Sequence, residues 1–173
     1  INSTVSFGAK KVLFDYGAVI NCNYNPAYTS GETPFITLTT GEIKAGKFVY
    51  VGTSSIYQPC ISSSGFSKIR ENYISNFLKV FSGTAFIENN IFEHSTEIFS
   101  VTVTSGSFVK GNLFKSTGNL GTLNVSGVSK VIGNTVGTIS ILPNAGAISA
   151  FNIVSNETSS TVGNKVNDFN SGV

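Results

Sequence analysis

The sequence predicts an all-β fold: a parallel β-helix, or solenoid, of about five to six rungs over residues 65–173, preceded by an irregular β region over residues 1–64 that continues or caps the coil. Three observations carry that expectation. An asparagine recurs about every twenty residues, a glycine recurs in phase with it, and apolar side chains stand at fixed offsets from the asparagine. Such a period marks a stacked architecture, in which each copy buries its apolar face only against its neighbours.

Aligned on asparagine, the copies are Lys68-Ile-Arg-Glu-Asn72-Tyr-Ile, Phe86-Ile-Glu-Asn-Asn90-Ile-Phe, Phe108-Val-Lys-Gly-Asn112-Leu-Phe, Lys130-Val-Ile-Gly-Asn134-Thr-Val and Ile148-Ser-Ala-Phe-Asn152-Ile-Val. The asparagines lie 18, 22, 22 and 18 residues apart. A shorter copy, Ser160-Thr-Val-Gly-Asn164-Lys-Val, follows after 12 and reads as a degenerate terminal turn. Gly65, Gly83, Gly106, Gly127 and Gly146 precede the five asparagines by 7, 7, 6, 7 and 6 residues. From each asparagine to the next glycine the distance is instead 11, 16, 15 and 12, so the variation in repeat length falls on one side.

Three residues before the asparagine stand Ile69, Ile87, Val109 and Val131, and two after it stand Ile74, Phe92, Phe114, Val136 and Val154. Side chains alternate between the faces of a strand and rungs lie about 4.8 Å apart, so these positions form inward stacks in contact along the axis. Asn72, Asn90, Asn112, Asn134 and Asn152 form a structural ladder. Asparagine tolerates the left-handed backbone of a sharp corner, and its amide bonds to the amides above and below. Two before the asparagine come Arg70, Glu88, Lys110 and Ile132, which face outward, where opposite charges of successive rungs would pair. One segment competes with this reading: Phe66, Ile69, Tyr73, Ile74, Phe77, Leu78 and Phe81 also follow helical spacing, with Ser67 as a cap. Gly65 and Asn72 nevertheless keep the register of four later copies that have no helical period, which favours strand.

The first 64 residues show no clear repeat but hold β-like runs at 17–21, 35–39 and 47–51, with loops at 23–28 and 29–34 between them. All six tyrosines fall between Tyr16 and Tyr73.

Composition narrows the function. Charged residues are 12% of the chain, against about 25% in an ordinary soluble domain, so the surface is polar but mostly uncharged. A net charge of +2 with no Lys/Arg block sets nucleic acid aside as a partner. No run of eighteen apolar residues suggests membrane insertion, and no signal peptide is visible. Cys22 and Cys60 fit no metal spacing and read as free, half-buried thiols, so neither metal nor cofactor is expected. The chain opens on Ile1 and contains no Met, which reads as a segment of a larger polypeptide. The glycosylation sequons at Asn2, Asn124 and Asn156 are a weak signal.

The Ile-x-Asn-Asn90-x-Phe and Val-x-Gly-Asn112-x-Phe phrases resemble the rungs of pectate-lyase-like, single-stranded right-handed β-helices, over residues 65–164. That superfamily includes polysaccharide lyases and hydrolases, bacterial adhesins, and the tailspikes and tail fibres of bacteriophages. Low charge and abundant Ser, Thr, Gly and Asn make the chain most similar to a piece of a phage tail protein. The resemblance then implies a homotrimer on the virion tail that attaches to a bacterial surface polysaccharide. The same resemblance admits two alternatives, a polysaccharide lyase or glycoside hydrolase and a bacterial surface adhesin or secreted solenoid. Five rungs would stand only about 24 Å tall, and side-by-side trimerisation would cover apolar flanks. It would also fit a mean hydropathy of +0.18 beside so few charges.

Glycoside cleavage uses two carboxylates roughly 5 to 9 Å apart. Glu88, Glu93, His94 and Glu97 form the one dense polar group, but Glu93 and Glu97 on one extended strand would lie about 13 Å apart, so no catalytic residue is assigned. A lyase would want a base beside a cation, which Arg70, Glu88 and Lys110 could supply, although a charge ladder explains them more simply. His94 reads as a surface polar residue. Repeat proteins place insertions on one face, often the binding face, and here the long arms are 93–105 and 115–126. Glu93, His94, Glu97, Lys115 and Asn119 are therefore the expected carbohydrate-binding residues, the alternative being that these loops pack against a neighbouring subunit.

Overall fold

The computed structural model describes residues 12–20, 23–24, 36–49, 59–95, 97–116, 121–159 and 163–170, and among them every regular element is a strand. The first eight are β1 (Val12–Ile20), β2 (Asn23–Tyr24), β3 (Ile36–Lys44), β4 (Lys47–Val49), β5 (Pro59–Arg70), β6 (Tyr73–Ser75), β7 (Lys79–Glu88) and β8 (Ile91–His94). They are followed by β9 (Ser100–Val103), β10 (Phe108–Lys110), β11 (Leu113–Ser116), β12 (Thr122–Val125), β13 (Lys130–Ile132), β14 (Thr135–Ile141), β15 (Ile148–Ser159) and β16 (Lys165–Asn170). The segment with helical spacing is β5, β6 and β7: Phe66 points outward while Ile69, Ile74, Phe77 and Phe81 are buried.

All pairings are parallel, and the chain winds right-handed through three lateral faces. The first face stacks β1, β3, β5, β7, β10, β13, β15 and β16 in that order. The second stacks β2, β4, β6, β8, β11, β14, β15 and the end of β16. The third uses the opening halves of β1, β3, β5 and β7, then β9 and β12, then the closing halves of β14 and β15. Five turns carry a ladder asparagine, and β1, β3 and β4 extend the same register on the N-terminal side.

Each face lines the interior with a continuous stack of apolar side chains. Ile43, Ile69, Ile87, Val109 and Val131 lie in register behind the first face, and Phe48, Ile74, Phe92, Phe114, Val136 and Val154 behind the second. Ile61, Phe81, Val101, Leu123 and Ile139 line the third. All are buried. Phe114 stacks on Phe99 at 5.8 Å and meets Phe92 edge-on at 5.1 Å, so the aromatic layer interlocks along the axis.

The asparagines form one buried column at the corner between the first and second faces. The backbone N–H and Nδ2 of Asn72, Asn90, Asn112 and Asn134 each donate to Oδ1 of the next asparagine, at 2.8–2.9 Å. Each Nδ2 also donates to a carbonyl one turn back: Ile43, Ile69, Ile87 and Val109 for those four, and Val131 for Asn152. The asparagines do not themselves take the left-handed conformation expected of them. Their predecessors Glu71, Asn89, Gly111, Gly133 and Phe151 do, with φ between 55° and 64°. The reason is geometric, since the asparagine side chain must point inward to reach its neighbours while the residue before it turns the corner.

The shorter sixth copy also departs from expectation. Asn164 lies outside the ladder, and its Oδ1 accepts from Ala147 N at 3.1 Å. The column ends instead on Asp168, whose Oδ1 accepts from Asn152 N at 3.1 Å and from its Nδ2 at 2.9 Å. A shift in register between Ala150 and Ile153 against β16 hides this from simple spacing.

The recurrent glycines mark the corner between the third and first faces. A Cβ on Gly83 would lie 2.1 Å from the carbonyl oxygen of Ser63, and one on Gly65 2.2 Å from that of Thr39. At these two turns successive backbones approach too closely for any side chain. Of the expected outward charges, Lys110 pairs with Glu88 at 3.6 Å, whereas Arg70 turns to Glu42, with Nε donating at 2.6 Å, and not to Glu88.

Candidate functional site

Glu93 and Lys115 both stand three residues after a ladder asparagine, so the fold places them side by side on the outward side of the second face. Their carboxylate and ammonium groups are 4.0 Å apart. Tyr73, one turn before Ile91 on the neighbouring column, donates its hydroxyl to Glu93 Oε2 at 3.0 Å. Burial against the strand holds the Tyr73 hydroxyl above its ordinary value, with Ser75 opposing and Glu93 adding to the shift, so it stays protonated as a donor. Lys47 lies over the Tyr73 ring at 5.8 Å. The result is a strip of donors and acceptors suited to hydroxyl groups.

His94 does not join that strip. Strand alternation turns it inward, where it is 8% exposed, and its Nδ1 accepts the Glu97 N–H at 3.0 Å. The expectation of a surface residue overlooked this parity: Phe92 is in, Glu93 out and His94 in. Burial pushes the His94 pKa below 6.5 while the Glu97 charge pulls it back. Glu97 is exposed beyond the end of β8, its N–H held by His94 Nδ1. Glu88 belongs to the first face, and Asn119 lies outside the described residues. Cys60 is free and fully buried, not half-buried, and burial raises its thiol pKa well above the ordinary value; Cys22 lies outside the described residues.

A second feature escaped the sequence reading. With Ile87 and Val109 inward, Phe86 and Phe108 must point out of the first face. Their rings sit 5.2 Å apart at 33°. They form the floor of an open groove of about 490 Å³ whose walls include Val128, Lys130 and the corner at Gly106. The adjoining Ser107 and Ser129 hydroxyls are tied into the corner, Ser107 accepting from Ala85 N at 3.2 Å and Ser129 donating to Thr104 O at 3.1 Å. The groove therefore has a fixed frame. The signal was present in the aligned copies, where an aromatic residue stands at an outward position in two consecutive rungs.

A third feature is an apolar outward column on the second face: Ile91, Leu113, Ile153 and Phe169 are 38% to 61% exposed. Tyr73 and Thr135 complete the column in register.

These features define the chain as a parallel β-solenoid with an aromatic groove and a polar strip on two of its outer faces. No protein-family model, no curated protein and no solved structure matches it.

Proposed function

We propose that the chain is the solenoid domain of a phage tailspike or tail-fibre protein that recognises a bacterial surface polysaccharide and assembles as a homotrimer on the virion tail. The outward pair Phe86 and Phe108 supports this reading most strongly. These rings are half-buried and line an open groove on the outer face of a low-charge solenoid, the kind of concave, largely apolar surface that takes ligands. The apolar faces of pyranose rings stack on aromatic side chains, and a preformed frame avoids the ordering cost of a flexible loop. The strip of Tyr73, Glu93 and Lys115 offers hydroxyl partners on the adjoining face. Assembly is supported by the column of Ile91, Leu113 and Ile153, which side-by-side packing would cover.

The test is affinity electrophoresis of the protein through gels carrying capsular polysaccharides or lipopolysaccharides, with light scattering to give the oligomer. A trimer retarded by at least one glycan is expected, and Phe86→Ser/Phe108→Ser should abolish retardation in a protein that still folds, at a cost of about 1–3 kcal/mol for the lost ring packing. A monomer with no retention by any glycan overturns the proposal. Retention accompanied by shortening of the polymer, lost in Glu93→Gln, would favour a depolymerase; Glu93 is then the residue to pursue because it holds both a tyrosine hydroxyl and a lysine.

A further inference from the structure

The register of the first face carries more than the aromatic pair. Lys68 aligns with Phe86, Phe86 with Phe108, and Phe108 with Lys130. Two aromatic rings are thus bracketed along the axis by two lysines, three strand spacings or about 14 Å apart. On this face the outward cations are Lys44, Lys68, Arg70, Lys110, Lys130 and Lys165, against the carboxylates Glu42 and Glu88 and Glu71 at the corner. With Asp168, which ends the asparagine column on the same corner as Glu71, the described residues of this face carry six cations against four carboxylates, an excess of two that equals the net charge of the whole chain. The charges are also unequally engaged. Lys44 pairs with Glu71, Arg70 with Glu42 and Lys110 with Glu88. Glu42 is the in-register neighbour of Lys68, yet it is held by Arg70 Nε and Nη2. Lys68 and Lys130, both exposed, have no ion pair among the described residues.

We propose that the column Lys68, Phe86, Phe108, Lys130 binds an acidic polysaccharide laid along the coil axis, with sugar rings on the phenylalanines and anionic groups at the lysines. This rests on the glycan-binding reading above and names its substrate class. Charge complementarity selects the occupant: a neutral glycan would use the rings and leave both lysines idle, while an anionic chain uses all four positions. A nucleic acid strand is the competing polyanion. The sparse total charge and the lack of any Lys/Arg block argue against it.

The experiment measures binding to hyaluronan, polygalacturonate and polysialate, to the carboxyl-reduced neutral form of each, and to an oligothymidylate. At least one acidic polymer is expected to bind tenfold or more tighter than its reduced form, with an advantage that shrinks as salt rises. Lys68→Gln/Lys130→Gln should erase the advantage, and Lys79→Gln, on the third face, should keep it. Equal binding of acidic and reduced polymers overturns the acidic specificity and leaves the broader glycan reading standing. Binding of none of the polymers also overturns the acidic-column proposal, while the glycan reading stands or falls by the affinity electrophoresis above. Equal losses in the Lys79 variant would reduce the effect to diffuse polyelectrolyte attraction, and tighter binding of the oligothymidylate would assign the column to nucleic acid; either result rejects the proposal.

Discussion

At the scale of single residues, the asparagine column is where the fold is most exposed to failure. A buried polar group without a partner costs about 1–3 kcal/mol, and each amide here serves several partners at once. Asn112 Oδ1 accepts from Asn90 N and Nδ2, and its Nδ2 reaches Ile87 O and Asn134 Oδ1. Asn112→Ala strands all of these and is expected to lower stability by about 3 kcal/mol or more in urea unfolding. Asp168→Asn is the milder companion, since an amide oxygen still accepts from Asn152 while only the Ser149 hydroxyl loses its acceptor, and it should lower stability by about 1–2 kcal/mol. Equal effects of the two substitutions would mean that the amides are not satisfied by stacking. Phe151 shows the same column from its other side: it holds φ at 58° without glycine's freedom, because the corner geometry is imposed by Asn152 inside it.

At the scale of the element, strand parity decides what each side chain can do. His94 ends β8 on its inward side, and that position carries a pH dependence. Because burial depresses its folded pKa below 6.5, the unfolded chain takes up the proton first on acidification. The stability contributed by neutral His94 is full above about 6.5 and is lost as pH falls through the lower folded value. Urea midpoints at pH 7.5 and 5.5 should therefore converge in His94→Gln relative to the parent; an undiminished gap would contradict the assignment. Parity also explains what could be read beforehand. The asparagine and glycine marks and the apolar offsets are tied to corners and stacks, so they survive in sequence from β5 to β15. On the N-terminal side the column position is Gly46, whose N–H donates to Asn72 Oδ1 at 2.8 Å with no amide of its own, so the mark vanishes though the coil continues. At the other end a carboxylate replaces the amide and a bulge shifts the count, which let Asn164 mimic a ladder residue. The pairing of Glu93 with Lys115 follows from their equal offset, whereas the placement of His94 needed the alternation carried one residue further. The groove at Phe86 and Phe108 was equally accessible to that rule.

At the scale of the whole molecule, three faces divide the work. The first presents aromatic rings and surplus positive charge, the second an apolar column beside a polar strip, and the third joins them through β9 and β12. Only a coil whose turns repeat in register can hold residues from separate copies in one outward line, as with Lys68, Phe86, Phe108 and Lys130. Parallel in-register neighbours lie about 4.8 Å apart, within the Cα separation of roughly 4.4–6.8 Å that a disulfide spans, while a diagonal partner at about 7–8 Å is out of reach. Thr102 and Asn124 are such a register pair on the third face, and Ser126 is the diagonal neighbour. Mild oxidation followed by peptide mass spectrometry of two cysteine variants measures this directly. Thr102→Cys/Asn124→Cys is expected to cross-link fully and Thr102→Cys/Ser126→Cys to remain reduced; a bond in the second variant, or none in the first, would show that the turns do not stack in this register.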